Sequence, residues 1–149
     1  ALNSLRIEKG YRHWGHDITD EDSPLQAGLG FAVKMKKPGG FIGRDALLQE
    51  RDQGIARKMV QFLLIDPEAM IYHNEPIWCD DAIVGHISSG AFAYTFGACI
   101  GLGYIPWDTT CSEESTRNKK FEIEVAGVRI PAKVSLNAFY DAKSIQIRR

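Results

Sequence analysis

The sequence predicts an α+β fold in which a short helical region precedes a small antiparallel β-barrel or sandwich. The first observation is that residues 1–56 contain two segments with at least partial helix-type apolar spacing, separated by loops with proline and glycine breaks. The second is that residues 57–149 contain short apolar runs separated by glycine and aspartate turns. The third is the alternation of apolar and polar residues on both sides of Ala126-Gly127, which indicates a β-hairpin.

The overall composition is typical of a globular protein, with 44% hydrophobic and 25% charged residues among 149. Eighteen basic and nineteen acidic residues give a net charge of −1. This balance argues against binding to nucleic acid or to a membrane through bulk positive charge. The three cysteines include no C-x-x-C pair, which indicates reduced thiols in a cytosol-like compartment.

Two helices are predicted in the first region. Ser4 is a candidate N-cap for the first helix, which we expect to end near Gly15. Residues 41–50 have the spacing of a second helix, which Gly54 would end. Between the two helices, residues 25–37 fit either a strand or a short helix.

The second region is predicted to consist of strands. Residues 59–65 form a short apolar run of strand length. Residues 77–79 and 82–84 flank Asp80-Asp81, and this pattern indicates a hairpin. The close spacing of such strands, with glycine and aspartate turns, favours a small antiparallel barrel or sandwich.

The densest group of ligand-type side chains lies in residues 11–24, which contain two histidines and four carboxylates. His13 and His16 are three residues apart, whereas zinc-binding helices place two histidines four apart around a glutamate. The calcium-loop template is also absent. We therefore expect no metal site. We expect a polar loop with one packed tryptophan, Trp14, whose shape is held locally by His16 and Asp17.

No complete catalytic group can be assembled from the residues alone. His86 lies near Ser88 and Ser89, but the G-x-S-x-G motif of a serine nucleophile is missing. Cys99 lies in an apolar run, where a buried cysteine behaves as an inert small hydrophobe. The glycines of this part of the chain do not match a dinucleotide-binding fingerprint.

Several separated motifs nevertheless carry a resemblance. They are Leu5-Arg6-Ile7-Glu8-Lys9-Gly10, Gly15-His16-Asp17-Ile18, Ser23-Pro24-Leu25-Gln26-Ala27-Gly28-Leu29, Phe41-Ile42-Gly43-Arg44, Val84-Gly85-His86-Ile87-Ser88-Ser89-Gly90 and Ile100-Gly101-Leu102-Gly103-Tyr104. Their order resembles that of the aminomethyltransferase family, the folate-dependent T-protein of glycine cleavage and its relatives. Residues 11–17 and 72–77 are most similar to the C-terminal part of sarcosine and dimethylglycine dehydrogenases.

The resemblance implies that residues 1–56 are the C-terminal part of a folate-binding domain and that residues 57–149 are the family's β-barrel. In the dehydrogenases, a flavin-binding N-terminal part oxidises an N-methyl group, and the C-terminal part passes the carbon to tetrahydrofolate. The implied cofactors are tetrahydrofolate and, in a preceding part of the protein, FAD. The family's catalytic aspartate is expected upstream of Ala1, so this chain alone is expected to be inactive.

The implied partners are an N-methylglycine-type substrate, folate and the preceding domains of the same protein. The expected compartment is the cytoplasm in a bacterium or the mitochondrial matrix in a eukaryote. Two alternatives stay open. One is a stand-alone glycine-cleavage aminomethyltransferase. The other is a non-catalytic structural or interaction barrel with an exposed apolar surface.

The resemblance also implies three folate-binding residues, Glu8, Lys37 and Tyr140. Glu8 stands at the position of the family's pterin-binding glutamate, and one fixed carboxylate can accept both adjacent N–H donors of a pterin. Lys37 belongs to a basic stretch that would attract the glutamate tail of folate, and Tyr140 would close the pocket. The structural alternatives are a solvated ion pair of Glu8 with Arg12 at i+4, a solvated lysine turn and a core aromatic residue.

Overall fold

The computed structural model describes residues 1–146 and 148 of the chain. Its first region contains the helices α1 (Leu2–Glu8) and α2 (Arg44–Gln53), separated by turns and a short 3₁₀ helix at Gly30–Ala32. The second region comprises β1 (Arg57–Leu64), β2 (Pro76–Cys79), β3 (Ala82–Ala93), β4 (Ala98–Pro106), α3 (Glu113–Arg117), β5 (Phe121–Val125) and β6 (Val128–Ser135). None of the helices in this described part could span a membrane.

The strands close into an antiparallel barrel in the order β1-β4-β3-β2-β5-β6, and β6 pairs back to β1. Gln61 of β1 lies opposite Leu102 of β4 on one side and opposite Ser135 of β6 on the other. Each of these strands therefore has a neighbour on both sides, and such closure removes free sheet edges. Of the two architectures that the sequence pattern allowed, the structure confirms the barrel.

The barrel interior is filled by large apolar side chains. Phe62, Ile71, Ile77, Ile87 and Ile123 are each 0% exposed. Burying a side chain of this size contributes about 1.5–3 kcal/mol to stability. Because these residues come from four different strands and from the loop before β2, their packing holds the closed sheet together.

Both predicted hairpins are confirmed, and backbone angles explain their turns. Asp80 and Asp81 have φ values of 48° and 70°, and Ala126 and Gly127 have φ values of 50° and 81°. Two successive residues with positive φ give the turn whose twist matches that of paired strands. Aspartate and glycine adopt this conformation at low cost, so residue type identifies both positions of the first turn and, through Gly127, one position of the second.

The first helix differs from its prediction at both ends. It begins at Leu2, so Ser4 lies inside the helix and the predicted N-cap is wrong. It also ends well before Gly15. The second predicted helix is confirmed as α2, although it begins three residues later than expected because Gly43 holds a φ of 86°.

The early end of α1 has a local cause. The amide of Tyr11 donates to the carbonyl of Arg6 at 2.8 Å, and the amide of Gly10 donates to the carbonyl of Ile7 at 2.9 Å. Gly10 takes a φ of 70°, and this pair of bonds around a left-handed glycine is a common way to close a helix. The chain therefore turns away directly after Glu8, which becomes the last residue of the helix.

Two glycines let β3 and β4 approach each other closely. A Cβ at Gly103 would lie 2.6 Å from Cδ1 of Ile77 and 2.8 Å from the carbonyl oxygen of His86. A Cβ at Gly85 would lie 2.3 Å from the carbonyl oxygen of Tyr104. Any side chain at either position would overlap backbone atoms, so these two glycines are required by the barrel itself.

We predict that Gly103→Ala lowers the free energy of unfolding by about 1–3 kcal/mol, because the added methyl group overpacks the wall of the barrel. Gly30→Ala is the matched control, since its Cβ would meet only the end of the Leu25 side chain, at 3.3 Å. Urea unfolding followed by tryptophan fluorescence measures both variants. Equal stability of Gly103→Ala and the wild type would contradict the close approach.

Candidate functional site

The carboxylate of Glu8 is buried against the turn between β3 and β4. The residue is 4% exposed. Its Oε1 accepts a hydrogen bond from the backbone amide of Thr95 at 3.1 Å, and its Oε2 accepts one from the Thr95 hydroxyl. The alternative of a solvated ion pair with Arg12 is wrong, because Glu8 is buried and Arg12 donates to the carbonyl of Ala27 at 3.0 Å.

The charge of Glu8 is therefore held in an unusual way. Among the described residues it forms no ion pair, and both of its hydrogen bonds come from one uncharged residue. A carboxylate offers about four acceptor positions, so about half remain available. Because a buried charge is costly unless donors surround it, this arrangement suits a ligand that brings N–H donors.

Asp17 is the second buried carboxylate of this region, and it joins α1, the following loop and β3. Its Oδ2 lies 2.9 Å from Nη1 of Arg6 and accepts from the amide of His13 at 2.7 Å. Its Oδ1 accepts from the hydroxyls of Ser88 at 2.6 Å and Ser89 at 2.5 Å. The local role expected for Asp17 is confirmed, but its two partners on β3 were missed by sequence reasoning.

The histidines of the same loop lie at the surface. The rings of His13 and His16 are 4.7 Å apart between centroids, and both residues are exposed. Trp14 is 67% exposed, so the expectation of a packed tryptophan is wrong. A bridge between Trp14 and Ile18 closes the loop, and Asp17 takes the inward position instead. Over residues 1–146 and 148, no three His, Cys, Asp or Glu side chains are placed to hold a metal ion.

Buried Gln61 connects the end of α1 to the C-terminal segment. Its Nε2 donates to the carbonyl of Ile7, and its Oε1 accepts from the amide of Phe139 at 2.6 Å. Beside it, Nζ of Lys9 lies 3.0 Å from Oδ2 of Asp141. Desolvation raises the pKa of Asp141, but hydrogen bonds from Lys9 and from two following amides outweigh it, so this pKa lies below its ordinary value.

The other two expected folate residues lie in different parts of the structure. Tyr140 is half-buried and lies between two residues anchored beside α1, so its backbone is close to the helix end that carries Glu8. Lys37 is exposed in a separate turn, where its amide donates to the carbonyl of Lys34 at 3.0 Å. In the described part of the chain, no hydrogen bond or ion pair links Glu8 to Lys37 or to Tyr140.

A cavity of about 300 Å³ opens beside the same helix end. Small-molecule sites have volumes of about 300–1,000 Å³, so this cavity has room for part of a ligand. Its lining includes Lys9, Arg12, Phe31, Gln61 and Asn137. The wall thus combines basic groups, amides and two aromatic residues, Tyr11 and Phe31, whereas Glu8 itself is not part of it.

The cysteines show no sign of nucleophilic chemistry. Cys99 is 0% exposed, as its apolar run predicted, and its Sγ lies 3.6 Å from Sδ of Met70. Burial raises the pKa of Cys99, and burial together with the neighbouring charge of Asp80 raises that of Cys79. Both thiols are therefore poor nucleophiles near neutral pH.

The structure combines a closed antiparallel barrel with a helix that ends in a buried carboxylate, and comparison with known proteins shows which family has this fold. Residues 57–141 match the glycine cleavage T-protein C-terminal barrel domain, and residues 1–37 match the GCVT N-terminal domain. The chain therefore belongs to the glycine cleavage T-protein family, as its motifs predicted. A crystal structure of the glycine cleavage system aminomethyltransferase T from Bartonella henselae has a similar fold, with a TM-score of 0.75 and 25% identity. That match covers 89% of this chain and 36% of the other.

Three relatives show the range of the family. The 4-methylaminobutanoate oxidase (formaldehyde-forming) of Paenarthrobacter nicotinovorans is 40% identical over 99% of this chain and 17% of its own length. Mitochondrial sarcosine dehydrogenase of Homo sapiens is 37% identical over 99% of this chain and 16% of its own length. The aminomethyltransferase of Symbiobacterium thermophilum is 36% identical over 94% of this chain and 36% of its own length. All three are enzymes, and this chain spans well under half of each.

We predict that Asp17→Asn lowers the free energy of unfolding by about 3–5 kcal/mol, because it leaves the largely buried Arg6 guanidinium without its charge partner. The control is Asp20→Asn in the same loop, which is exposed and should change stability by less than about 0.5 kcal/mol. Chemical unfolding followed by circular dichroism compares the two. A loss no larger than that of the control would show that the Asp17 contacts add little.

We also predict that Cys111, which is half-buried, reacts with a thiol reagent about tenfold or more faster than Cys79 and Cys99 at neutral pH. The physical reason is that burial hinders access to the other two thiols and disfavours their thiolate form. Time-resolved labelling with an aromatic disulfide, followed by peptide mass spectrometry, measures the three rates. Denatured protein, in which all three rates should converge, is the control.

Proposed function

We propose that this chain is the C-terminal part of a flavin-dependent N-methyl amino acid dehydrogenase and that it helps to transfer the released one-carbon unit to tetrahydrofolate. In this proposal, residues 1–56 complete a folate-binding domain and residues 57–149 form the barrel that packs against it. The start of β1 at Arg57 supports this division. The mitochondrial dehydrogenase relatives support a matrix location in a eukaryote, and the cytoplasm is the counterpart in a bacterium.

The observation that carries the proposal is the buried carboxylate of Glu8. It lies in the motif that resembles the family's pterin-binding segment, and it lacks a charged partner among the described residues. A pterin edge with two adjacent N–H donors would use the acceptor positions that Thr95 leaves free. Glu8 is therefore the residue proposed to hold the pterin ring.

Tyr140 and Lys37 have supporting roles in the proposal. Tyr140 stands near the same helix end, where its half-buried ring would cover one side of the folate. Lys37 stands in an exposed basic turn away from Glu8, which suits contact with the mobile glutamate tail. When bound, tetrahydrofolate supplies the nitrogen atoms that accept the one-carbon unit. The residues of this chain hold and orient it.

The names of the relatives favour an N-methyl substrate. 4-Methylaminobutanoate and sarcosine, which two of those names give as substrates, are both N-methylated amino acids. FAD would bind in a preceding part of the protein. The catalytic aspartate of the family would also lie in that part. The second candidate is a stand-alone aminomethyltransferase, which the match to that enzyme of Symbiobacterium thermophilum supports.

The third possibility is a structural or interaction module, and the exposed apolar side chains are the observation that would favour it. Leu2 and Leu5 of α1 are 78% and 66% exposed, and Phe31 is 87% exposed. In the proposal, these side chains pack against the preceding domains rather than against a separate partner. The chain alone is then expected to bind tetrahydrofolate weakly, because part of the pocket wall belongs to those domains.

We predict that Glu8→Gln in the full-length protein impairs formation of methylene-tetrahydrofolate at least about tenfold, because the neutral amide loses a charge-assisted hydrogen bond. Flavin reduction by the N-methyl substrate should stay within about twofold of the wild type, since it takes place in another part of the protein. The measurements are a folate-product assay and stopped-flow absorbance of the flavin.

Glu122→Gln is the matched control, because Glu122 is also a buried glutamate but lies on β5 and pairs with Lys120. It should leave both activities unchanged. Equal losses of both activities in Glu8→Gln would mean that Glu8 is only structural. Release of free formaldehyde at the same rate with and without tetrahydrofolate would argue that the carbon is not transferred to folate at all.

A further inference from the structure

We propose that Thr95 is a positioning residue that fixes the orientation of the Glu8 carboxylate for folate, an inference that rests on the proposed function. Thr95 lies in the turn between β3 and β4, far along the chain from the helix that carries Glu8. It would not touch the reacting atoms. Its role would be to hold both oxygens of one side chain in the geometry that a pterin edge requires.

The contact between the two residues is bidentate. The amide of Thr95 donates to Oε1 of Glu8 at 3.1 Å, while the hydroxyl of Thr95 donates to Oε2. One donor would still allow the carboxylate to rotate about its last bond. Two donors on different oxygens fix the plane of the group, so the remaining acceptor positions point in a defined direction.

The turn that carries Thr95 is itself firmly held. The carbonyl of Ala93 accepts from the amide of Phe96 at 3.0 Å and from the amide of Gly97 at 2.9 Å, and Gly97 takes a φ of 67°. The ring of Phe96 packs edge-on against Phe139, with 6.3 Å between centroids. Thr95 is exposed, but these contacts tie its turn to the rest of the chain, as positioning of Glu8 requires.

The backbone at Glu8 is fixed by contacts that do not involve Thr95. Arg6 pairs with Asp17, and Lys9 pairs with Asp141. Between them, the carbonyl of Ile7 accepts from Gln61. Loss of the Thr95 hydroxyl should therefore release the Glu8 side chain without releasing the helix. This separation distinguishes a positioning role from a purely structural one.

The experiment measures the dissociation constant of tetrahydrofolate for the full-length protein by isothermal titration calorimetry, together with the melting temperature. Thr95→Val keeps the shape and the backbone amide but removes the hydroxyl, and it should weaken binding about tenfold, the worth of one hydrogen bond to a charged group. Thr95→Ala is the second hydroxyl-free variant, used if the valine variant does not fold. Thr95→Ser restores the hydroxyl and should bind within about twofold of the wild type.

Thr110→Val is the matched control. The amide and hydroxyl of Thr110 also both donate to one carboxylate, that of Asp108, but this pair lies in an exposed loop. Thr110→Val should leave folate binding unchanged. The double variant Glu8→Gln/Thr95→Val should bind no more weakly than Glu8→Gln alone, because Thr95 acts only through Glu8.

The outcomes separate the two proposals. If Glu8→Gln weakens folate binding but Thr95→Val does not, the positioning role is overturned and the proposed function stands. Tighter binding by Thr95→Val would overturn it as well, since Thr95 would then compete with folate for the carboxylate. If Glu8→Gln itself leaves folate binding unchanged, the proposed function fails first and takes the role of Thr95 with it.

Discussion

The burial of the Asp17 carboxylate is the constraint on which the arrangement around α1 depends. An ionised carboxylate is tolerated in a low-dielectric interior only when donors meet its oxygens. Here the donors come from Arg6 of α1, from the loop itself and from the Ser88-Ser89 pair of β3. Moving any one of these elements would leave the charge short of a donor. The helix therefore keeps one position on the barrel, and that position sets where Glu8 meets the end of β3.

The strands of this fold could be predicted because hairpins are encoded locally. Asp80, Asp81 and Gly127 are of types that tolerate the left-handed backbone such turns need, and apolar alternation marks the strands beside them. The end of α1 was also encoded locally, by Gly10, but Gly15 looked equally suitable from residue type alone. Closure of the barrel was different, because the pairing of β1 with β6 joins distant segments, and no local rule specifies it.

The site could be predicted only in part, for the same reason. The motif singled out Glu8 as the proposed pterin residue, but its partner Thr95 lies 87 residues further along the chain. Ser88 lies 71 residues from Asp17, so neither contact follows from helical or strand spacing. Trp14 is a prediction that was wrong, because the general tendency of aromatic residues to be packed did not apply in this loop. In that loop Asp17 takes the inward position, where its carboxylate meets hydrogen-bond donors, and the indole of Trp14 stays at the surface.

The residues from Arg6 to Lys9 attach the helix end to the barrel by different means, and the difference bears on function. Arg6 and Lys9 form ion pairs. Ile7 accepts a hydrogen bond from Gln61 through its backbone carbonyl. Glu8 alone keeps a buried charge that an uncharged partner holds in place. A cation at that position would have neutralised the carboxylate and filled its free acceptor positions. The contacts of Arg6, Ile7 and Lys9 hold the end of the helix in place, and Thr95 orders the Glu8 carboxylate. A ligand with N–H donors would therefore meet a carboxylate that is already ordered, and binding would cost little side-chain entropy.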